Sequence, residues 1–263
     1  MIRMLIHTLL LSCIGGTSFA KEAKKIVPEN TCATGEHWVV AHHRSDYIKA
    51  DGTYVSATNV SAHCQGNPPA YAVWADRLKS GRPSMWEMKK EKSKAWTEEE
   101  KERVLEALSS LPGELLVPSV DGIYRMEKSD NVHSNPGSGH DNQIVLYDGA
   151  FKADQNLARV VGHEFAHKLY RQFYDEDGGR GYAQAAQWEA FKNPKTNESF
   201  IMAGRDDFVE EDGKNGPDED FANNIEYYLF KPSVLRAKSP RIYEWIQKKY
   251  GDKFKVGTGV RSK

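Results

Sequence analysis

Apolar positions change their spacing along the chain, and the changes mark its elements. Between residues 37 and 63 they come in short alternating runs, the period of half-buried strands. Tyr47-Ile48-Lys49 and Tyr54-Val55-Ser56 flank Ala50-Asp51-Gly52-Thr53, and an Asp-Gly pair between such runs predicts a hairpin. Residues 65–95 are loop-rich and charged. At Thr97 the period becomes helical. TEEEKERVLEALSSLP offers Thr97 as N-cap, Glu100 at the capping-box position, Val104, Leu105 and Leu108 on one face, and a stop at Pro112. Residues 126–142 are turn-forming and predict a surface loop. Gln143 to Tyr147 predicts a strand, and Asp154 is placed to cap the helix that follows. Residues 174–187 and 204–218 predict Gly- and Asp-rich loops. A helix is predicted from Pro217 to Phe230, stopped by Pro232, and another from Ser239 as cap through Pro240 to Gly251. The pattern is that of an α+β chain without internal repeats.

The first twenty residues add a targeting expectation. Arg3 precedes a broken apolar run, Leu5 to Ile14, and Ser18-Phe19-Ala20 ends in a small-x-small cleavage pattern. The run is too short to span a bilayer, which takes about 20 apolar residues. The expectation is an exported chain, secreted or periplasmic, with lipid attachment at Cys13 as the rival reading. The organisation expected is a leader over 1–20, a β-rich segment over 21–96, a catalytic domain over 97–251 and a tail over 252–263.

Charge and cysteines narrow the partners. The net charge is −1, and loss of Arg3 with the leader makes it one unit more negative. A nucleic-acid partner calls for a basic stripe, which is absent. No apolar run of spanning length remains, and the composition leaves the oligomeric state undetermined. Cys32 and Cys64 survive removal of the leader, an even number in an exported chain. A disulfide between them would contribute roughly 3–4 kcal/mol in the chain-entropy model. The rival is a pair of metal-binding thiolates beside His63; the sequence holds no CxxC pair to favour it.

One stretch carries chemistry. Val160 to Tyr170 reads VVGHEFAHKLY, with two histidines and a glutamate in an otherwise apolar helix. Burying such groups without partners costs several kcal/mol each. A metal ion supplies the partner. His163 and His167 stand four apart, which puts both rings on one helical face. Glu164 lies a hundred degrees round, off the histidine axis but within reach of a water on the ion. This is the HExxH arrangement: two zinc ligands and a glutamate general base. Zinc lowers the pKa of bound water to about 7, Glu164 takes its proton, and the nucleophile attacks a polarised carbonyl.

A catalytic zinc needs a third protein ligand. No histidine follows His167, so a carboxylate from a later helix is expected. In GPDEDFANNIEYYLFKP, residues 216–232, Glu219, Asn223 and Glu226 share a face, while Phe221, Ala222, Ile225, Tyr228 and Leu229 face the core. Asp220 lies a hundred degrees from Glu219.

HEFAH at 163–167 followed by EDFA at 219–222 resembles the gluzincin metallopeptidases related to the anthrax lethal factor catalytic domain. LSSLPGELL, IYR and NQIVLYD upstream have the same order, so the resemblance covers about residues 97–250 and not 21–96. It implies a zincin-like domain with a small edge sheet and an HExxH helix, Zn²⁺ as cofactor, and Glu219 as third ligand. It further implies that the strand at 143–147 is an open edge that pairs with an extended substrate; the rival is an ordinary interior strand. The chain departs from that family twice. The closing glutamate of its E-x-F-A-E motif is Asn223, expected to hydrogen-bond a histidine ligand without charge. The tyrosine seven residues before the ligand is Asp212, which cannot donate to an oxyanion when ionised. His140, Tyr182 and Arg205 are the candidate replacements.

The reading that follows is an exported zinc endopeptidase acting on a peptide or protein substrate. Two rivals stand beside it: a degenerate zinc-binding recognition module, and a hydrolase of cell-wall peptide amides. Manganese or iron is the alternative to zinc.

Overall fold

The computed structural model describes residues 32, 36–49, 51–66, 71–83, 91–128, 135–177, 179–197 and 199–254. The expected leader with Cys13, the lead-in to residue 31 and the tail beyond Phe254 lie outside them. All the described residues belong to a single unit, Cys32–Lys263.

Six short strands open it: β1 Glu36–Val39, β2 His42–Arg44, β3 Tyr47–Ile48, β4 Tyr54–Val55, β5 Thr58–Val60 and β6 His63–Gly66. They pair as nested antiparallel couples, β3 with β4, β2 with β5 and β1 with β6, so the segment is one interrupted ribbon. Its tip is the expected turn. Lys49 N donates to Thr53 O and Gly52 N to Lys49 O, both at 2.9 Å. Gly52 has φ 84°, a value that needs no Cβ. Cys32 and Cys64 form a disulfide with Cα atoms 5.5 Å apart, closing the base of the ribbon.

The short helix α1, Tyr71–Trp74, and strand β7, Leu78–Lys79, lead to α2, Glu98–Ser110. Thr97 Oγ1 accepts from Glu100 N and Glu100 Oε2 accepts from Thr97 N, each at 3.1 Å, completing the capping box. Glu100 does a second job. Its Oε1 accepts from Arg125 Nε and Nη2 at 3.0 and 2.8 Å, and Arg125 is 1% exposed. Asp148 completes the neutralisation of that guanidinium.

Strands β8 Gly122–Arg125, β9 Gly137–His140 and β10 Gln143–Leu146 join β7 in a sheet of order β7-β8-β10-β9. The first three are parallel and β9 runs antiparallel to β10. Here the expectation is corrected twice. The 126–142 stretch is not wholly loop: Gly-Ser-Gly-His enters the sheet through backbone bonds, which a lack of apolar side chains conceals. The strand at 143–146 is therefore interior, fully buried, and β9 takes the edge.

The long helix α3, Leu157–Asp177, crosses behind this sheet, followed by α4 Arg180–Ala185, the hairpin β11 Trp188–Lys192 and β12 Ser199–Ala203, then α5 Pro217–Phe230, α6 Pro232–Lys238 and α7 Pro240–Tyr250. The loops expected over 174–187 and 204–218 in fact hold the end of α3, all of α4 and a 3-10 turn at Glu211–Asn215. Asn156, not Asp154, caps α3: its Oδ1 accepts from Arg159 N at 3.3 Å. Asn156 Nδ2 also donates to Lys49 O at 3.1 Å, which ties the ribbon tip to the start of α3. Ser239 stands at the N-cap of α7, but its hydroxyl donates to Asp207 Oδ2 at 2.8 Å instead.

One apolar core runs through these layers. Leu108 of α2, Val161, Phe165 and Ala166 of α3, Phe221, Ala222 and Ile225 of α5, and Ile242 and Ile246 of α7 are all fully buried. Each large side chain contributes about 1.5–3 kcal/mol by leaving water. Trp74 and Trp96 join the same core, so the sheet and α3 rest on residues before 97 as well as after. No helix among the described residues is long and apolar enough to cross a membrane.

Candidate metal centre

Helices α3 and α5 pack side by side and bring the predicted ligands together. His163 Nε2 lies 3.2 Å from His167 Nε2 and 3.1 Å from Glu219 Oε1. Glu219 Oε2 lies 3.4 Å from His167 Nε2. Two nitrogens and an oxygen each about 2.0–2.1 Å from one tetrahedral zinc would be separated by roughly 3.3 Å. The two nitrogens already have that spacing and each has a Glu219 oxygen near it, so a small turn of the carboxylate would complete the triangle, and the three residues form the metal-binding group found among the described residues. Two imidazoles and a carboxylate suit zinc, with room left for a fourth ligand.

The centre opens into a cavity of about 1460 Å³. Arg159, Glu164, Lys168, Asp212, Asn223 and Glu226 line it with the ligands. The predicted face of Glu219, Asn223 and Glu226 thus meets the cavity as one surface.

Glu164 is 6% exposed and stands outside the ligand triangle, towards β9. The strand comes so close that a Cβ on Gly137 would lie 2.6 Å from Glu164 Oε1. Glycine is required there by proximity. Burial raises the Glu164 carboxyl above its ordinary range.

Around the histidines the charges are tightly coupled. Burial opposes a charge on His163, but the Glu219 and Glu226 carboxylates outweigh it and lift the ring to about 10. Burial likewise opposes charge on Glu219, and the two histidines outweigh it, holding the carboxyl well below its usual range. A proton thus occupies the centre when metal does not, and a ligating ring must give it up.

The partner of His163 is not the expected one. Asn223 Nδ2 donates to Asp212 Oδ1 at 2.8 Å, while Glu226 Oε2 lies 3.3 Å from His163 Nδ1. Arg159 holds Glu226 from the other side. An outer carboxylate of this kind orients a ligand ring, and its loss costs about 10–100-fold in metal affinity. Glu226→Gln is expected to weaken zinc binding by that factor in a chelator competition. An unchanged affinity would remove Glu226 from the centre.

The candidates for an oxyanion donor separate. Tyr182 is 2% exposed, and its hydroxyl donates to Asp220 Oδ2 at 2.8 Å. Arg205 Nη2 bonds both oxygens of Asp220 at 2.5 Å. Both face the core and neither reaches the cavity lining, which leaves His140. Asp220 itself is 1% exposed and excluded as a ligand: one step round α5 from Glu219, it points inward and also accepts from Trp188 Nε1 at 2.9 Å.

Asp207 extends this network. It accepts from Arg205 Nη1 at 2.6 Å and from Ser239 at 2.8 Å. Burial raises its carboxyl, but those two bonds more than offset it, so the group sits below the ordinary 3.8. A depressed folded-state pKa adds stability that is complete above the unfolded value and is lost as pH falls through the folded one. Asp207→Asn is expected to cost about 1–2 kcal/mol at pH 7. In urea unfolding the gap to wild type should close as pH is lowered below about 4. A gap constant down to pH 2 would contradict the assignment.

A mixed α/β unit with a two-histidine, one-carboxylate centre beside a buried glutamate defines the class of a metallopeptidase. Residues 126–251, just under half the chain, match the profile of the family described as glucose-regulated metallo-peptidase M90. That span runs from the end of β8 through α7 and leaves out the ribbon and α2. It supports a metal-dependent peptidase and does not single out the lethal-factor-type gluzincins. No curated protein and no solved structure matches the chain.

Proposed function

We propose that the chain is an exported zinc endopeptidase in which Glu164 is the general base. The observation that carries this reading is the triangle of His163, His167 and Glu219 with Glu164 buried beside it on the wall of an open cavity. His163, His167 and Glu219 would hold the ion. When bound, zinc supplies a Lewis acid for the scissile carbonyl and acidifies water. Glu164 takes the proton of the attacking water and passes it to the departing amine. Its buried carboxyl, raised by desolvation, suits a group that must both accept and return a proton.

β9 is the strand placed to receive substrate. It ends the sheet order and lines the cavity from Gly137 to His140. An extended peptide added to its outer edge would run past Glu164, main chain against main chain. Of the residues weighed for the oxyanion, His140 alone stands on that strand and in the cavity. Export is supported by the Cys32–Cys64 disulfide, which an oxidising compartment maintains.

Asp212, paired with Asn223 where a donor was expected, favours one other reading, a metal-binding module without activity. Elemental analysis and a peptide-library digest separate them. One zinc per chain, largely lost in Glu219→Ala, with cleavage by the loaded wild type, supports the peptidase. Full zinc occupancy with no cleavage supports the module. Undiminished zinc in Glu219→Ala would refute the three-ligand centre.

A further inference from the structure

The cavity carries a cation that makes no hydrogen bond and no close ion pair. Lys168 follows His167 on α3 and is 7% exposed. Among the described residues its ammonium has no hydrogen bond and no carboxylate within the 4.0 Å of an ion pair. The other cations of the lining are engaged: Arg159 by Glu226, Arg171 by Asp141, and Lys231 over the ring of Tyr227. A buried ammonium held by no hydrogen bond or close ion pair costs several kcal/mol, which the more distant charge of Glu164 offsets only in part. The ammonium is not sealed in. Lys168 lines the cavity, and its Nζ is not among the fully enclosed polar atoms.

Its position relative to the chemistry is defined by β9. A Cβ on Gly139 would lie 2.6 Å from Lys168 Nζ and 3.4 Å from Glu164 Oε2. The ammonium and the proposed base therefore lie beneath the same residue of the edge strand. A peptide lying along β9 would carry its side chains or its terminus past Lys168 immediately next to the bond at Glu164.

We propose that Lys168 is a specificity residue that binds a carboxylate of the substrate next to the scissile bond. This rests on the peptidase reading of the centre. The carboxylate has two sources: an Asp or Glu side chain, or the C-terminus of a short peptide. A single charged hydrogen bond in a partly dry site discriminates between an anion and its neutral isostere by about 10- to 100-fold.

The simplest rival is that Lys168 only steadies Glu164, one helical turn away. The two roles separate in the substrate dependence. A steadying role lowers kcat/KM equally for anionic and neutral peptides, whereas a recognition role changes their ratio.

The test uses the zinc-loaded full chain, as wild type, Lys168→Met and Lys168→Arg, each checked for zinc content and thermal unfolding. The probes are a peptide set in which Glu is exchanged for Gln at each position flanking the bond, each with a free and an amidated C-terminus. Wild type is expected to prefer an anion by about 10- to 100-fold in kcat/KM. Lys168→Met should abolish the preference and Lys168→Arg should retain it. Loss of the preference on Glu→Gln exchange identifies a side chain as the source, and loss on amidation identifies the terminus. A ratio that is the same in wild type and Lys168→Met overturns the proposal and leaves the peptidase reading intact. Calorimetric binding of the same peptides gives a readout independent of turnover. Lys168-dependent binding of the anionic set without cleavage would refute the peptidase and retain the carboxylate site. Equal binding of both sets without cleavage would refute both.

Discussion

Glu164→Gln is expected to keep its zinc and to lose peptide hydrolysis by about 10²–10⁴-fold, the usual contribution of a positioned base. The geometry separates the two properties. Glu164 lies outside the His163, His167 and Glu219 triangle, so glutamine removes no ligand atom. Gln and Glu have nearly the same shape, and the narrow space under Gly137 accepts either. Glutamine offers an oxygen to a water but cannot take its proton at neutral pH. Zinc content by elemental analysis and kcat on a cleaved library peptide measure the two properties independently. Turnover retained with full zinc would require another base. Loss of zinc would place Glu164 among the ligands.

The second large effect is on stability and falls behind the centre. Asp220→Ala removes one carboxylate from a site where Tyr182, Trp188, Arg205 and Asn224 all converge. The Arg205 side chain is only 4% exposed and would keep Asp207 as its one carboxylate, with the Ala186 carbonyl, while its Nη2 would lose both of its acceptors. Breaking a buried pair from one side typically costs about 3–5 kcal/mol, because the donors left behind are shut away from water and have lost their acceptor. For a unit of this size that corresponds to a fall in Tm of roughly 6–20 °C. Urea unfolding of metal-free protein is the cleaner measurement, since bound zinc would add its own stabilisation to the folded state. A loss below about 1 kcal/mol would show that Arg205 finds another partner and that the network does not anchor α5.

Glu219 and Asp220 are consecutive residues of α5 in opposite surroundings. Glu219 faces the cavity and His163, while Asp220, one step round the helix, faces Tyr182 and Arg205. The periodicity of GPDEDFANNIEYYLF predicts the divergence. It does not say which carboxylate meets the histidines; the packing of α5 against α3 settles that. The same holds for Asn223 and Glu226. Both lie on the cavity face, but the distance along α5 puts Glu226 against His163 Nδ1 and turns Asn223 to Asp212.

Local signals were legible where chemistry acts over a few residues. Thr97 and Glu100 make a capping box from adjacent atoms, Asp51-Gly52 makes a turn, and Pro217, Pro232 and Pro240 punctuate helices by steric exclusion. His163 and His167 meet because a helix returns to the same face every four residues. Those features need no partner elsewhere in the chain, so they can be read from neighbouring residues alone. Groups whose partners are distant take their places only when the chain packs. Gly137 to His140 becomes a strand because β10 offers backbone bonds, not because its side chains favour one. Gln143 to Leu146 becomes interior for the same reason. Tyr182 and Arg205, plausible in sequence as donors to a substrate, are drawn into the core by Asp220. Lys168, unremarkable beside a histidine, is left without a hydrogen bond or a close ion pair by the surfaces that close around it. A polar group takes its role from whatever removes it from water, and for these residues that is set by segments far along the chain.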